Sequence, residues 1–251
     1  MSYLSGKFFC LTDQGKVRPT NDDSAITSVN AFGNVLLAVA DGMGGAKKGG
    51  YASSKLLEHI LNEFRDLEKE LVTGKQIANW LFKVIAAANE KLYLKSEKNE
   101  EYKGMGTTLS LCMLVKDILV TAQVGDSRIY LLRDNKLTKI SVDQTYVQYL
   151  IDNGVISEKE ALSHKERHVL TNAIGVKKVC QVDIKEHVYN NEKILLCSDG
   201  LYNNVSPTVL ESILRGNDTL ERKCSQLIAF GNASGGTDNM AVVIWESDNY
   251  L

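Results

Sequence analysis

Apolar positions recur along this 251-residue chain in two rhythms. Short apolar runs bounded by Gly, Asn or Asp fall at residues 7–11, 34–40, 108–114, 118–124, 129–132, 193–197 and 240–245. These predict strands. Two longer stretches space their apolar residues by three and four with charge opposite, and so predict amphipathic helices. The first, 51–71, carries Leu56, Leu57, Ile60, Leu61, Phe64, Leu67 and Leu71; the second, 76–94, carries Ile77, Leu81, Val84, Ile85, Ala88 and Leu92. Further helices are predicted over 145–153, 207–215 and 220–232, and the charge run KSEKNEEYK at 95–103 reads as a solvated loop. Helices fall in pairs between groups of consecutive strands. They do not alternate with strands one for one, so the pattern points to an α+β protein of antiparallel sheets with helices packed outside.

Composition narrows the picture. With 44% hydrophobic residues and 2 prolines, the chain can bury a sizeable core, as one large domain or two small ones. A net charge of -2 gives no sign of a nucleic-acid partner or an anionic-membrane partner. No apolar run nears the ~20 residues that span a bilayer. Lys7, Asp13 and Lys16 around a very short apolar patch do not make a signal peptide. The five cysteines (10, 112, 180, 197 and 224) are scattered and never in CxxC spacing, which fits reduced thiols in the cytoplasm.

The candidate chemistry lies in the aspartates. Asp41 follows VLLAVA, Asp126 follows VTAQVG, Asp199 follows ILLCS, Asp238 precedes MAVVIW and Asp23 precedes Ala25 and Ile26. Any one of them reads as a turn residue. Five carboxylates at strand ends, several beside glycine, point to a shared site. Clustered carboxylates need compensating cations, and oxygen donors favour Mg2+ or Mn2+. Zinc is disfavoured, because the 4 histidines and the cysteines lack ligand spacing. Arg18, in VRPTNDDS, has the fork that grips phosphate oxygens. Metal ions and an arginine are the means of phosphoester hydrolysis. The glycines of DGMGGAKKGG fit neither GxGxxG nor a P-loop. Ser127 in GDSR has no GxSxG elbow, and no cysteine precedes an arginine at the spacing of a cysteine phosphatase.

Seven segments in order, TDQGKVRPTNDDS, LLAVADGMGG, GMGTTL, QVGDSRIYLLR, HKERHVLTNAIG, LLCSDGL and GTDNMAVV, lie within residues 11–245. In them the chain resembles the metal-dependent type 2C serine/threonine protein phosphatases, in their compact bacterial form. The resemblance implies a four-layer α-β-β-α sandwich, two antiparallel β-sheets flanked by paired helices. It implies a binuclear Mn2+ or Mg2+ centre, with a third ion. Asp41 would bridge two ions and the Gly42 carbonyl would bind the second. Asp199 and Asp238 would complete the first site, and Asp23 would support the second, in part through water. Asp126, helped by Asp199, would hold the third ion, and Arg18 the substrate phosphate. A water bridging two ions would attack phosphorus in line, without a phospho-enzyme.

Substrates would be phosphoserine and phosphothreonine proteins, including those of a cognate serine/threonine kinase, and the protein would be a monomer. The alternative from another class is a catalytically weak regulatory or phosphoprotein-binding module of the same fold, which should have lost metal ligands. The chain departs from the family at Met43, where other members often place histidine. It departs again at Gln144, Lys165 and His168, in or beside a mobile flap over about 143–176. His164 and His168 are expected to anchor that flap, and Thr107 to be structural.

Overall fold

The computed structural model describes residues 4–45 and 48–249. One antiparallel sheet joins β1 (Gly6–Asp13), β11 (Met240–Ser247), β10 (Lys193–Cys197), β7 (Arg128–Arg133) and β8 (Lys136–Lys139) in that order. The other joins β2 (Asp23–Val29), β3 (Val35–Met43), β5 (Leu109–Val115), β6 (Ile118–Val124) and β9 (Asp183–Val188), with the short β4 (Gly106–Thr107) on the far end of β3. Helices α1 (Lys48–Arg65) and α2 (Gly74–Lys98) cover the second sheet. Helices α5 (Asp199–Tyr202), α6 (Pro207–Arg215) and α7 (Leu220–Ala233) cover the first. Two short helices, α3 (Tyr146–Asp152) and α4 (Glu158–Ala161), lie in the insertion between β8 and β9. This is the expected four-layer sandwich.

The continuous apolar runs follow from burial on both faces of a central strand. Along β3, Leu36, Ala38 and Ala40 face α1 and α2, while Val35, Leu37 and Val39 face the opposite sheet. Along β11, Met240, Val242 and Ile244 face the α6–α7 layer, while Ala241, Val243 and Trp245 face inward. Alternation within an all-apolar run is invisible in sequence and becomes visible only as two different partners.

Three of the boundaries that differ from the sequence expectation have a local reason, and β2, β4, β8, β9, α4 and α5 lie outside that expectation. Helix α1 stops at Arg65, short of Leu71, because the chain must turn to start α2. There Thr73 caps the helix by accepting from the Gln76 N–H, and the Gln76 side chain accepts from the Thr73 N–H in return. Helix α2 runs on to Lys98, so the first residues of the charge run are helical and Glu100–Tyr102 form a 3-10 turn. Lys95 lies over the rings of Tyr51 and Tyr102, and the buried Ser96 accepts from the Gly104 N–H at 3.2 Å. Strand β3 continues through Asp41 to Met43, held by β4.

Candidate active site

The strand ends of both sheets converge on one cleft of about 970 Å³. Pairing of β2 with β3 sets Asp23 directly opposite Asp41. The backbone of Asp41 is clamped from β4–β5: its N–H donates to the Thr108 hydroxyl, and its carbonyl accepts from the Thr107 hydroxyl, each at 2.9 Å. Thr107 is therefore structural, as expected. Asp199 opens α5 directly after β10, and Asp238 stands just before β11, so antiparallel pairing of those strands puts both at the same end. Asp126 occupies the turn from β6 to β7. Gly42 has no room for a side chain, since a Cβ there would collide with the Gly49 carbonyl and lie 2.6 Å from the Asp22 carbonyl oxygen.

Arg18, Asp41, Gly42, Asp126, Asp199 and Asp238 all line this cleft. Arg18 comes from the β1–β2 loop; its side chain is 53% exposed and its Nη2 donates to Asp238 Oδ2 at 2.7 Å. Asp23 stands behind the wall. It is 7% exposed, and its Oδ2 accepts from the Ser198 hydroxyl at 2.6 Å. Its neighbour Asp22 takes the cleft-facing place, with its carboxylate beside Gly49 and Gly50 at the start of α1. Asp22 lies just before β2 and Asp23 opens it, and the Ser198 hydroxyl holds the Asp23 carboxylate in the wall behind Asp41.

The sequence reading passed over two further residues that build the site. Ser198 holds Asp23 and also accepts from the Ala241 N–H at 2.8 Å, locking β10 to β11 behind the carboxylates. Asn239 accepts from the Asp22 N–H at 2.9 Å and donates to the Gln14 and Thr20 carbonyls at 2.8 Å, fastening the Arg18 loop to the Asp238 strand end. Both are adjacent to the acidic motifs, in CSDG and TDNM.

In the flap, the Gln144 amide accepts from the Gly125 N–H at 2.9 Å and from Asn172 at 2.7 Å. It thereby pins the flap base to the Asp126 turn. His164 makes its contacts within the flap, accepting from the Glu166 N–H at 3.2 Å with its ring 6.3 Å from that of Tyr146. His168 does not. It is half-exposed in the cleft wall, with Nδ1 3.8 Å from Asp199 Oδ2. It lies four residues beyond His164, and the chain between turns it inward.

Electrostatics argue for cations here. Asp41 is paired with Asp23 across the strands and shares the cleft with Asp199. Burial and then repulsion from Asp23, Asp199, Asp126 and Asp238 push its carboxyl well above the ordinary range. Burial, offset by the Ser198 bond and reinforced by Asp199 and Asp238, raises Asp23 to about 7. Burial and the charge of Asp199 raise Asp126 to about 7, and burial and Asp238 raise Asp199. Carboxylates so placed cannot all ionise unless a proton or a cation is shared among them. The donors are oxygens, which suits Mg2+ or Mn2+. Among the described residues no three His, Cys, Asp or Glu side chains close into a single ligand cage.

Comparison with known proteins agrees with this geometry. The family model described as protein phosphatase 2C matches residues 16–235. The serine/threonine phosphatase stp of Listeria monocytogenes serotype 4b is 35% identical over 238 residues, covering 94% of this chain and 94% of that protein. The S. agalactiae serine/threonine phosphatase superposes with a TM-score of 0.90 at 30% identity, covering 96% of this chain and 99% of that one. The catalytic domain of the serine threonine protein phosphatase PstP, solved with 2 manganese ions, superposes with a TM-score of 0.83 at 30% identity, covering 97% and 99%.

Proposed function

Since the chain belongs to the protein phosphatase 2C family, we propose that it is a metal-dependent serine/threonine protein phosphatase acting as one catalytic domain over 1–251. The observation that carries this reading is the position of Asp41, paired across the strands with Asp23 in a cleft that also presents Asp126, Asp199, Asp238 and Arg18. Residues 1–3, 46–47 and 250–251 lie outside the described part of that domain.

Asp41, Asp199 and Asp238 would hold a first divalent ion. Asp41 and the Gly42 carbonyl would hold a second, with Asp22 facing it and Asp23 supporting Asp41 from behind. Asp126 with Asp199 would hold a third. When bound, such ions acidify water to a nucleophile near neutral pH and neutralise charge on phosphoryl oxygens. The chain's own part is to position and to exclude alternatives. Arg18 projects from its loop with its charge secured by Asp238, ready to grip the phosphate of the substrate. The cleft lining includes no cysteine or serine among the described residues. Cys197, nearest in sequence to Asp199, is buried, with its thiol pushed up to about 12. With the carboxylates engaged as metal ligands, the reading is direct hydrolysis with no phospho-enzyme, as the family resemblance implies.

Substrates are phosphoserine and phosphothreonine proteins, including the products of a serine/threonine kinase. The protein acts as a monomer in the cytoplasm, where its five free cysteines stay reduced. No described helix is long and apolar enough to cross a membrane. A regulatory or binding module should have shed ligands, and here each expected carboxylate is present. The test is turnover of p-nitrophenyl phosphate and of a phosphothreonine peptide in EDTA and then in Mn2+, for wild type and Asp199→Ala. Activity that requires Mn2+ and disappears in the variant supports the assignment. An inert wild type with Mn2+ favours the binding module.

A further inference from the structure

Tyr202 ends the short helix that Asp199 begins. Its hydroxyl donates to Asp126 Oδ2 at 3.3 Å. The following residue, Asn203, donates from Nδ2 to Asp199 Oδ2 at 3.4 Å. One turn of chain thus reaches behind both carboxylates that the proposed function gives to a third ion.

The Tyr202 ring is itself held in place. The Arg128 guanidinium lies 3.5 Å from its centroid. That guanidinium is fixed by two bonds to Asp143 Oδ2, from Nε at 3.1 Å and Nη2 at 2.7 Å. Lys139 adds a bond to Asp143 Oδ1 at 3.1 Å. A planar cation secured at its fork and stacked on a ring restricts that ring. The hydroxyl therefore meets Asp126 from one direction. Asp143 is also where the flap begins, so the flap base, Arg128, Tyr202 and Asp126 form one connected series.

We infer that Tyr202 is a positioning residue for the third ion: its hydroxyl orients the Asp126 carboxylate, and the Arg128–Asp143 pair holds the ring that carries it. The inference rests on the reading of Asp126 as a ligand of that ion. Partners that orient a metal ligand from outside typically set metal affinity by about 10–100-fold. Phenylalanine at 202 keeps the ring beneath Arg128 and removes only the hydroxyl, so it isolates this contact.

The experiment is a Mn2+ binding isotherm on the full chain, by calorimetry and by electron paramagnetic resonance of free Mn2+. It compares wild type, Asp126→Asn and Tyr202→Phe, with thermal melts as a control. Wild type is expected to bind two ions tightly and one weakly, and Asp126→Asn to lose the weak ion. Tyr202→Phe should keep the tight ions and the wild-type melt, and bind the weak ion about 10–100-fold less well. A Tyr202→Phe isotherm identical to wild type, with the weak ion lost in Asp126→Asn, overturns the inference and leaves the Asp126 assignment standing. An unchanged isotherm in Asp126→Asn shows that the third-ion assignment itself is wrong, and the inference falls with it.

Discussion

Replacing Ser198 with alanine removes one oxygen from the molecule and two hydrogen bonds from behind the site. The hydroxyl donates to Asp23 at 2.6 Å and accepts from the Ala241 N–H at 2.8 Å, and the residue is fully buried. Losing a bond to a charged group costs about 1.5–3 kcal/mol, and a buried N–H left unpaired about 1–3 kcal/mol. The two losses share one site and are not additive, so about 3 kcal/mol is expected. For a chain of this size that is a fall in melting temperature of about 6–12 °C.

The loss should also depend on pH. In the metal-free protein the folded state holds the Asp23 proton up to about 7, against an ordinary value of 3.8, so the contribution of Asp23 to stability is fully present below 3.8 and falls as pH rises to about 7. Ser198 pulls that value down. Without it the value climbs and the loss extends to higher pH, so the deficit of Ser198→Ala is larger at pH 8 than at pH 5. Urea unfolding in EDTA at the two pH values measures this. A deficit below about 0.5 kcal/mol at pH 8, the size of an ordinary surface change, or a deficit larger at pH 5, refutes the reasoning.

Other substitutions probe the remaining parts. Asp199→Asn removes one of several mutually repelling buried carboxylates, so its metal-free melting temperature should rise above wild type while the further rise on adding Mn2+ disappears; differential scanning fluorimetry reads both. Arg18→Ala removes the guanidinium facing the cleft and should lower kcat/KM for a phosphothreonine peptide about tenfold or more, read by phosphate release, with melting near wild type because the side chain is half-exposed. Gly42→Ala drives a methyl group into the Gly49 and Asp22 backbones, which cannot retreat as a flexible side chain would. It should cost about 1–3 kcal/mol or more in urea unfolding and impair Mn2+ binding.

Much of this site is legible in sequence because central strands are apolar on both faces and a carboxylate at their ends stands out. Asp41, Asp199 and Asp238 follow or precede all-apolar runs, and the fold brings those ends together. Two of the edge strands carry no such signal. Lys136–Lys139 and Asp183–Val188 lie at sheet edges with solvated side chains, and neither looks like a strand. Asp22 and Asp23 are neighbours in sequence, so their different facings require the pairing of β2 with β3 to be known. Ser198 acts through bonds to Asp23 and the Ala241 N–H, and Asn239 through three backbone groups of the β1–β2 loop, and no spacing rule predicts such partners. His168 is separated from Asp199 by 31 positions, and only the fold places it in the cleft wall.

The central claim is that Asp41 and its neighbours jointly hold the ions that drive phosphothreonine hydrolysis. The most direct test is turnover of a phosphothreonine peptide by wild type and Asp41→Asn, each stripped with EDTA and titrated with Mn2+. Wild type should be inactive in EDTA and gain saturable activity with Mn2+. Asp41→Asn should remain about a thousandfold or more slower at every Mn2+ concentration. Turnover by wild type in EDTA, or an Asp41→Asn enzyme within about tenfold of wild type at saturating Mn2+, would contradict it.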